Sequence, residues 1–319
     1  MKKITAILLI LTVLLGAFCA CSKQEGSENS EGISDNQPNI DWYNFEEYEL
    51  RAKIKNIEKI TVSDELSAAC ETYKFSYYSD RYLVKAFISI PVGCTEGRTP
   101  YNCIVYNRGG NSNMGWLTGE EIATICAATD RVVIGSQYRG ADGSEGVDEF
   151  GGADVQDVTT ILDLCENELR FINMENLCMA GVSRGGMMSY MVARNDERVK
   201  GIVAISAVSD LASAYNEREE MRGILGNSIG GTPEELPEEY EKRSAVFWAD
   251  EIKAPVLIIH SIGDELVSFS QAEAMEEKLK DSKYGTSMII HDDNVHGLHK
   301  NDVQQIVDWL NQALPKTEK

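Results

Sequence analysis

The sequence predicts an α/β fold built on a mostly parallel sheet, with helices on both faces. Two observations carry this. From residue 71 onward, short apolar β-rich runs alternate with longer segments of helical period, the pattern of strand–helix–strand crossovers. With 319 residues, 43% of them hydrophobic and 25% charged, the chain can also bury a full core without staples. Each element follows in order. Residues 71–78 (ETYKFSYY) and 82–90 (YLVKAFISI) are β-rich, close together, and read as an antiparallel hairpin around Ser79 and Asp80, with Pro91 ending the second strand. Residues 102–106 (NCIVY) form a strand that runs into the glycine turn RGGN. Residues 119–128 are helical and 131–136 (RVVIGS) are a strand, followed by a loop rich in Gly and Asp. Residues 154–167 are an amphipathic helix, because Val155, Val158, Leu162 and Cys165 share one face. Residues 177–180 form a short strand, 185–194 a buried helix with few polar positions, and 199–208 a central strand. Residues 211–249 break the rhythm with Gly230, Gly231, Pro233, Pro237 and many glutamates, and read as a helical, lid-like excursion. Alternation resumes with strand 255–260 (PVLIIH), helix 272–279 and strand 287–291 (SMIIH). The last helix carries Val303, Ile306, Val307, Leu310 and Leu314 on one face.

The first 45 residues stand apart. Met1, Lys2 and Lys3 precede an apolar run, residues 4–18. The run suits a signal peptide better than a membrane span, which needs about 20 apolar residues. Cys21 follows Ala20 and is the expected lipidation site of a lipoprotein-type signal; Phe18 before Cys19 fits less well. Residues 21–45 are expected as a flexible tether, since their Ser/Glu/Asn/Gly-rich composition buries too little to offset ordering. The expected division is thus signal peptide 1–20, tether 21–45 and catalytic domain 46–319. An exported protein, lipid-anchored to the extracytoplasmic face of the cell membrane, is expected. The net charge of −21 argues against a nucleic-acid partner and favours a solvated surface, with a weaker pull toward cationic ligands. Export permits disulfides among Cys70, Cys94, Cys103, Cys126, Cys165 and Cys178, but the absence of a C-x-x-C pair argues against a zinc or redox motif.

Chemistry centres on MAGVSRGGMM, residues 179–188, where Gly181, Ser183 and Gly185 form G-x-S-x-G. The pattern is short enough to arise by chance, so its neighbourhood must carry it. Here the serine sits between a buried strand and a buried helix. Flanking glycines allow that sharp turn, and the hydroxyl is left at the strand's C-terminal end and the helix N-terminus, where developing negative charge is favoured. A serine nucleophile also needs a base and an orienting acid. Asp264 follows strand 255–260 and His296 follows strand 287–291, so both fall on loops at the same sheet edge as Ser183. Asp210, at the end of strand 199–208, is an alternative acid. His299 and His291 are alternative bases, whereas His260 precedes Asp264 and reads as a packed histidine. The run HDDNVHGLH lacks H-E-x-x-H spacing, so no catalytic metal is expected, and no cofactor.

Together these motifs resemble the catalytic domain of prolyl-oligopeptidase-like serine peptidases, in the α/β-hydrolase superfamily, over roughly residues 70–315. YYSDRYLVKAFISIP is similar to the entry hairpin and VYNRGGN to the oxyanion strand and turn. YRGADGSEG and FGGADVQDV resemble the stretch before a crossover helix. GVSRGG resembles the nucleophile elbow, APVLIIHSIGDELV the acid loop and NVHGL the histidine loop. The resemblance implies Ser183 as nucleophile, Asp264 as acid and His296 as base. It also implies an oxyanion hole from the backbone N–H groups of Arg184 and Gly110. Where several members carry an oxyanion tyrosine this chain has Arg108, expected in a structural salt bridge or against an acidic substrate group. Tyr106, two residues earlier, can face the same side of the strand. The family's large peptidases precede this domain with a β-propeller, for which the stretch before the first matched strand is too short. Peptide cleavage is the implied activity, with carboxylic esters as alternative substrates and a non-catalytic ligand-binding lipoprotein as the second alternative. The glutamates of the excursion (Glu217, Glu219, Glu220, Glu234 and Glu235) suggest a preference for cationic substrates.

Overall fold

A computed structural model describes residues 53–94 and 100–314. The expected signal peptide, Cys21 and the tether lie outside the described residues. One sheet contains strands β1 (Ile54–Lys59), β2 (Cys70–Ser79), β3 (Tyr82–Pro91), β4 (Tyr101–Asn107), β5 (Val132–Ser136), β6 (Ile172–Val182), β7 (Gly201–Ile205), β8 (Val256–Ser261) and β9 (Thr286–His291). Their spatial order is β1-β2-β3-β5-β4-β6-β7-β8-β9. The first three strands pair antiparallel and β3 meets β5 antiparallel; from β5 through β9 every pair is parallel. The C-terminal ends of β4, β6, β7, β8 and β9 therefore share one edge, where ligands bind in open α/β sheets.

Helices α1 (Asp64–Ser67), α2 (Gly119–Thr129), α3 (Val155–Asn167), α4 (Arg184–Asn195), α8 (Ser270–Leu279) and α9 (Asp302–Ala313) cover both faces. The central strands are apolar on both sides, as burial between two layers requires. Val105, Ile202 and Val256 join the core under α3, α4 and α8. Their neighbours Ile104, Val203 and Leu257 point to the opposite core, under α2 and α9. The excursion after β7 contains α5 (Leu211–Glu217), α6 (Glu219–Ile229), α7 (Pro237–Lys242) and two short 3-10 turns. Gly230 ends α6 at φ +98°, a conformation glycine takes without strain. Buried Leu225 and Tyr240 dock the excursion on the core, and Tyr215 meets the Tyr240 ring edge-on at 5.9 Å.

Helix α1, absent from the sequence reading, and three strands differ from it. Strand β1 is additional; it lies at the sheet edge and buries only Ile54, so it shows no alternation to read. Strand β6 starts at Ile172, well before the expected 177, because Ile172 and Asn173 pair with β4 ahead of a register shift. The polar run around the shift hides the strand's first half. Strand β7 stops at Ile205, short of 208, because Ser206 turns the chain at φ 43°. The six cysteines from Cys70 to Cys178 are buried.

Candidate active site

The turn between β6 and α4 holds Ser183 at φ 59° and ψ −122°, a region that costs a non-glycine residue about 1–3 kcal/mol. Close packing enforces it. A Cβ on Gly181 would stand 2.6 Å from Asn107 O, one on Gly185 would overlap the same oxygen, and one on Gly186 would overlap Ala207 Cβ. Glycines are required because α4 starts directly against β4 and the end of β7. Ser183 N donates to Ile205 O at 2.8 Å, while Ser183 O accepts from Gly186 N and Met187 N. The side chain is left half-buried at the helix N-terminus.

Across β7, Asp264 and His296 meet. Asp264 Oδ2 bonds His296 Nδ1 at 2.8 Å, and Oδ1 accepts from the N–H groups of Leu266 and Val267 at 2.9 and 3.0 Å. Burial alone would raise this carboxyl's pKa. Hydrogen bonds from His260 and His296, with the charge of His296, outweigh burial and hold it well below the usual carboxylate range. The acid is thus an anion at neutral pH. Holding Nδ1–H of His296 toward the carboxylate leaves Nε2 as the lone-pair nitrogen. Ser206 anchors the histidine loop, since its Oγ accepts from Gly297 N at 3.1 Å. Ser183 and Gly297 are therefore bonded to consecutive residues, Ile205 and Ser206. Among the described residues Ser183 Oγ has no hydrogen-bonding partner.

The rival residues are engaged elsewhere. Asp210 caps α5, accepting from Ser213 N at 3.0 Å and Ser213 Oγ at 2.8 Å. His299 Nε2 bonds Asp293 at 2.6 Å, and His291 lies against its ring. His260 is packed, as its place in the sequence suggests, and has a role the sequence did not disclose. Fully buried, it bonds Val267 O at 2.8 Å and stands 3.4 Å from Asp264 Oδ2, bracing the acid loop from beneath.

The glycine turn after β4 lies beside the elbow; a Cβ on Gly109 would be 3.6 Å from Ser183 Cβ. Neither Gly110 N nor Arg184 N is engaged by another described residue. Two buried arginines hold this wall. The Arg184 guanidinium makes a paired contact with Asp148 at 2.6 and 2.8 Å, bonds Asp154 at 2.6 Å, and donates to Gly110 O at 3.3 Å. Arg108 donates Nε–H to Gln137 O, and its Nη1 meets the carbonyls of Gly109, Asn111, Met114 and Gly115. The Tyr138 ring lies against both, with centroids 5.0 and 5.1 Å from the two guanidinium carbons. Burial and the neighbouring positive charge of Arg184 push the Arg108 pKa down to about 10, leaving it charged at neutral pH. Arg108 is thus structural, buried beneath the turn. Tyr106 is not at the oxyanion position: it points into the opposite core and donates its hydroxyl to Glu121 on α2 at 3.1 Å. Asp148, Asp154, Tyr138 and Ser206 were missed by sequence reading. Tyr138 opens the quoted motif YRGADGSEG, Asp154 lies in FGGADVQDV and Asp148 falls between the two; the clustered Asp and Gly there were the available signal.

Residues 120–317 match the prolyl oligopeptidase family, Peptidase_S9, over more than half of the chain. The chain belongs to this family. Among its relatives, an uncharacterized peptidase, YtmA, of Bacillus subtilis is 32% identical over 209 residues, covering 65% of this chain and 79% of YtmA. A second B. subtilis peptidase, YuxL, is 24% identical and the match covers 80% of this chain but 40% of YuxL. An acylaminoacyl peptidase of Pyrococcus horikoshii superposes with a TM-score of 0.67 at 21% identity, covering 82% of this chain and 45% of that one. The chain thus spans less than half of that peptidase. Acetyl xylan esterase 1 of Thermoanaerobacterium shares the fold at TM-score 0.61 and 17% identity, with 84% of this chain and 93% of the esterase covered. The chain is a prolyl-oligopeptidase-family, serine-peptidase-like hydrolase on an α/β-hydrolase fold.

Proposed function

We propose that this family member is an extracytoplasmic serine peptidase acting through Ser183, Asp264 and His296. The observation that carries the reading is the 2.8 Å bond from His296 to the buried Asp264 anion, at the sheet edge where Ser183 is held in a strained turn. In the proposed cycle His296 Nε2 takes the Ser183 proton as Oγ attacks the substrate carbonyl. The N–H groups of Arg184 and Gly110 receive the oxyanion, each such donor contributing about 3 kcal/mol to the transition state. His296 then gives the proton to the leaving amine. Water, deprotonated by the same nitrogen, releases the acyl group, while Asp264 stays ionised and steadies the imidazolium.

Exposed Met114 and Trp116 on the glycine-turn loop, with Ile262 and Leu266 on the acid loop, offer apolar surface for a substrate side chain. The exposed glutamates of the excursion favour a cationic group beyond it. Ester hydrolysis with the same triad is the second reading, favoured by the near-complete coverage of acetyl xylan esterase 1. The proposed location rests on the apolar residues 4–18 and Cys21. Loss of fatty-acid labelling in Cys21→Ala would support the anchor.

A fluorophosphonate probe tests the mechanism. The native protein should label covalently and Ser183→Ala should not, with kcat on matched chromogenic peptides and p-nitrophenyl esters falling at least about 10⁴-fold. His296→Ala should match that loss while His299→Ala loses far less. The triad assignment is wrong if the folded Ser183→Ala protein still labels.

A further inference from the structure

Just beyond the base, three side chains converge that the proposed reaction does not use. His291 ends β9, Asp302 begins α9, and His299 lies three residues before Asp302. A ligand atom from each lies within 4.8 Å of the others. Apart from one another, His291 Nε2, His299 Nδ1 and Asp302 Oδ1 have no hydrogen-bonding partner among the described residues. Asp302 is completely buried, so Oδ1 is closed off from solvent with only the His291 ring beside it. Its other oxygen accepts from His299 N at 2.7 Å, which fixes the orientation of Oδ1. His291 Nε2 stands 2.9 Å from Oδ1.

The protonation pattern points further. His299 Nε2 bonds Asp293 Oδ2 at 2.6 Å. With that nitrogen carrying the proton, Nδ1 is left as a bare lone pair directed at Asp302. A histidine backed by a carboxylate on its far nitrogen is the arrangement that orients and strengthens a metal-binding imidazole. A tetrahedral ion with ligands at about 2.0–2.1 Å needs ligand atoms about 3.3 Å apart; His291 Nε2 and Asp302 Oδ1 are 2.9 Å apart, and one ligand atom of each residue lies within 4.8 Å of the others. Both imidazoles are about one-fifth exposed, which gives an ion a way in and leaves room for a water ligand.

We propose that His291, His299 and Asp302 bind a divalent transition cation, Zn²⁺ by preference, which clips together the two ends of the loop carrying His296. Two imidazoles and one carboxylate suit zinc, and the fourth position falls to water. The role is structural. The ion joins the end of β9 to the start of α9, so the intervening loop, with His296 and Gly297, is held from both sides. This site does not depend on the triad assignment.

The full chain, stripped with a chelator and titrated with ZnCl₂ by calorimetry, should bind one equivalent and gain in Tm. His299→Asn and Asp302→Asn should each weaken binding by at least about 100-fold and remove the gain in Tm. Asp293→Asn, which alters only the group behind His299, should weaken binding about 10- to 100-fold. His296→Ala should leave it unchanged. The site is refuted if no single-equivalent binding occurs, or if binding survives undiminished in Asp302→Asn and His299→Asn. Loss of binding in His296→Ala alone would refute it equally, by placing the ion on the triad.

Discussion

The two walls around Ser183 are built in opposite ways. The wall made by the glycine turn and the elbow is backbone, fixed from behind by Arg108, Arg184, Asp148 and Asp154, all buried. The wall made by the acid and histidine loops is side chain, held by separate hydrogen bonds rather than by a buried network of arginines and aspartates: His296, Leu266 and Val267 to Asp264, His260 to Val267 O, Gly263 N to Asp293 O, and Gly297 to Ser206. Oxyanion donors work by being preorganised, so they gain from a wall that does not move. In the proposed cycle the base must move a proton between Oγ, leaving group and water, which suits a loop held by hydrogen bonds rather than by buried ion pairs. Buried ion pairs suit the first wall for a further reason. Replacing such a pair by apolar groups is often harmless, yet removing one partner is severe, so the network is held as a unit.

Four substitutions would break or sharpen this contrast. Asp148→Ala, which leaves Arg184 with Asp154 alone, should cost about 3–5 kcal/mol in urea unfolding with an unchanged m-value. A loss below about 1 kcal/mol would show that the network is not what fixes the wall. Gly110→Ala forces a Cβ into Met114 O at φ +69° and displaces a proposed oxyanion donor. It should lower kcat by about 10²–10³-fold with KM little changed. On the looser wall, Ser206→Ala removes the acceptor of Gly297 N. A change of about 1 kcal/mol is expected, read as a roughly fivefold fall in kcat with the urea midpoint nearly constant. If stability falls and kcat does not, Ser206 belongs to the core rather than to the loop.

The smallest effect is a pH dependence. The carboxyl of Asp264 titrates lower in the folded protein than in the unfolded chain, where Asp lies near about 3.9. The unfolded state therefore binds more protons in the acid range, and stability rises with pH there. This contribution is complete above about pH 5 and is lost as pH falls below about 4. Urea titrations from pH 6 to 3 should show a shallower acid loss in Asp264→Asn than in the parent.

The backbone-made wall was also the more legible one. G-x-S-x-G between a strand and a helix reports a steric fact, since each glycine marks a contact that no side chain permits. The order Ser183, Asp264, His296, each after a strand, placed three groups at one sheet edge, and the structure brings the last two into contact there. What holds these groups was not legible. Arg184 meets Asp148 and Asp154 across 36 and 30 residues, and no periodicity records such a pairing. Arg108 could be read as a salt-bridging residue, but not as the hub for four carbonyls of its own turn. Strand β1 escaped because a one-sided edge strand needs only one apolar anchor. The site of His291, His299 and Asp302 escaped because its spacing matches no helical motif and exists only once β9 and α9 are packed.

The six buried thiols have a practical consequence. Each is a silent reporter of the fold, inert to alkylation until its surroundings open. Cys70 differs in kind, because its hydrogen bond with Cys126 lowers its pKa to about 7 and increases its thiolate fraction. It lies at the start of β2, behind the sheet's antiparallel end and remote from the reacting edge. Mapping which thiol is trapped first, and how fast, would separate breathing of the hairpin from global unfolding.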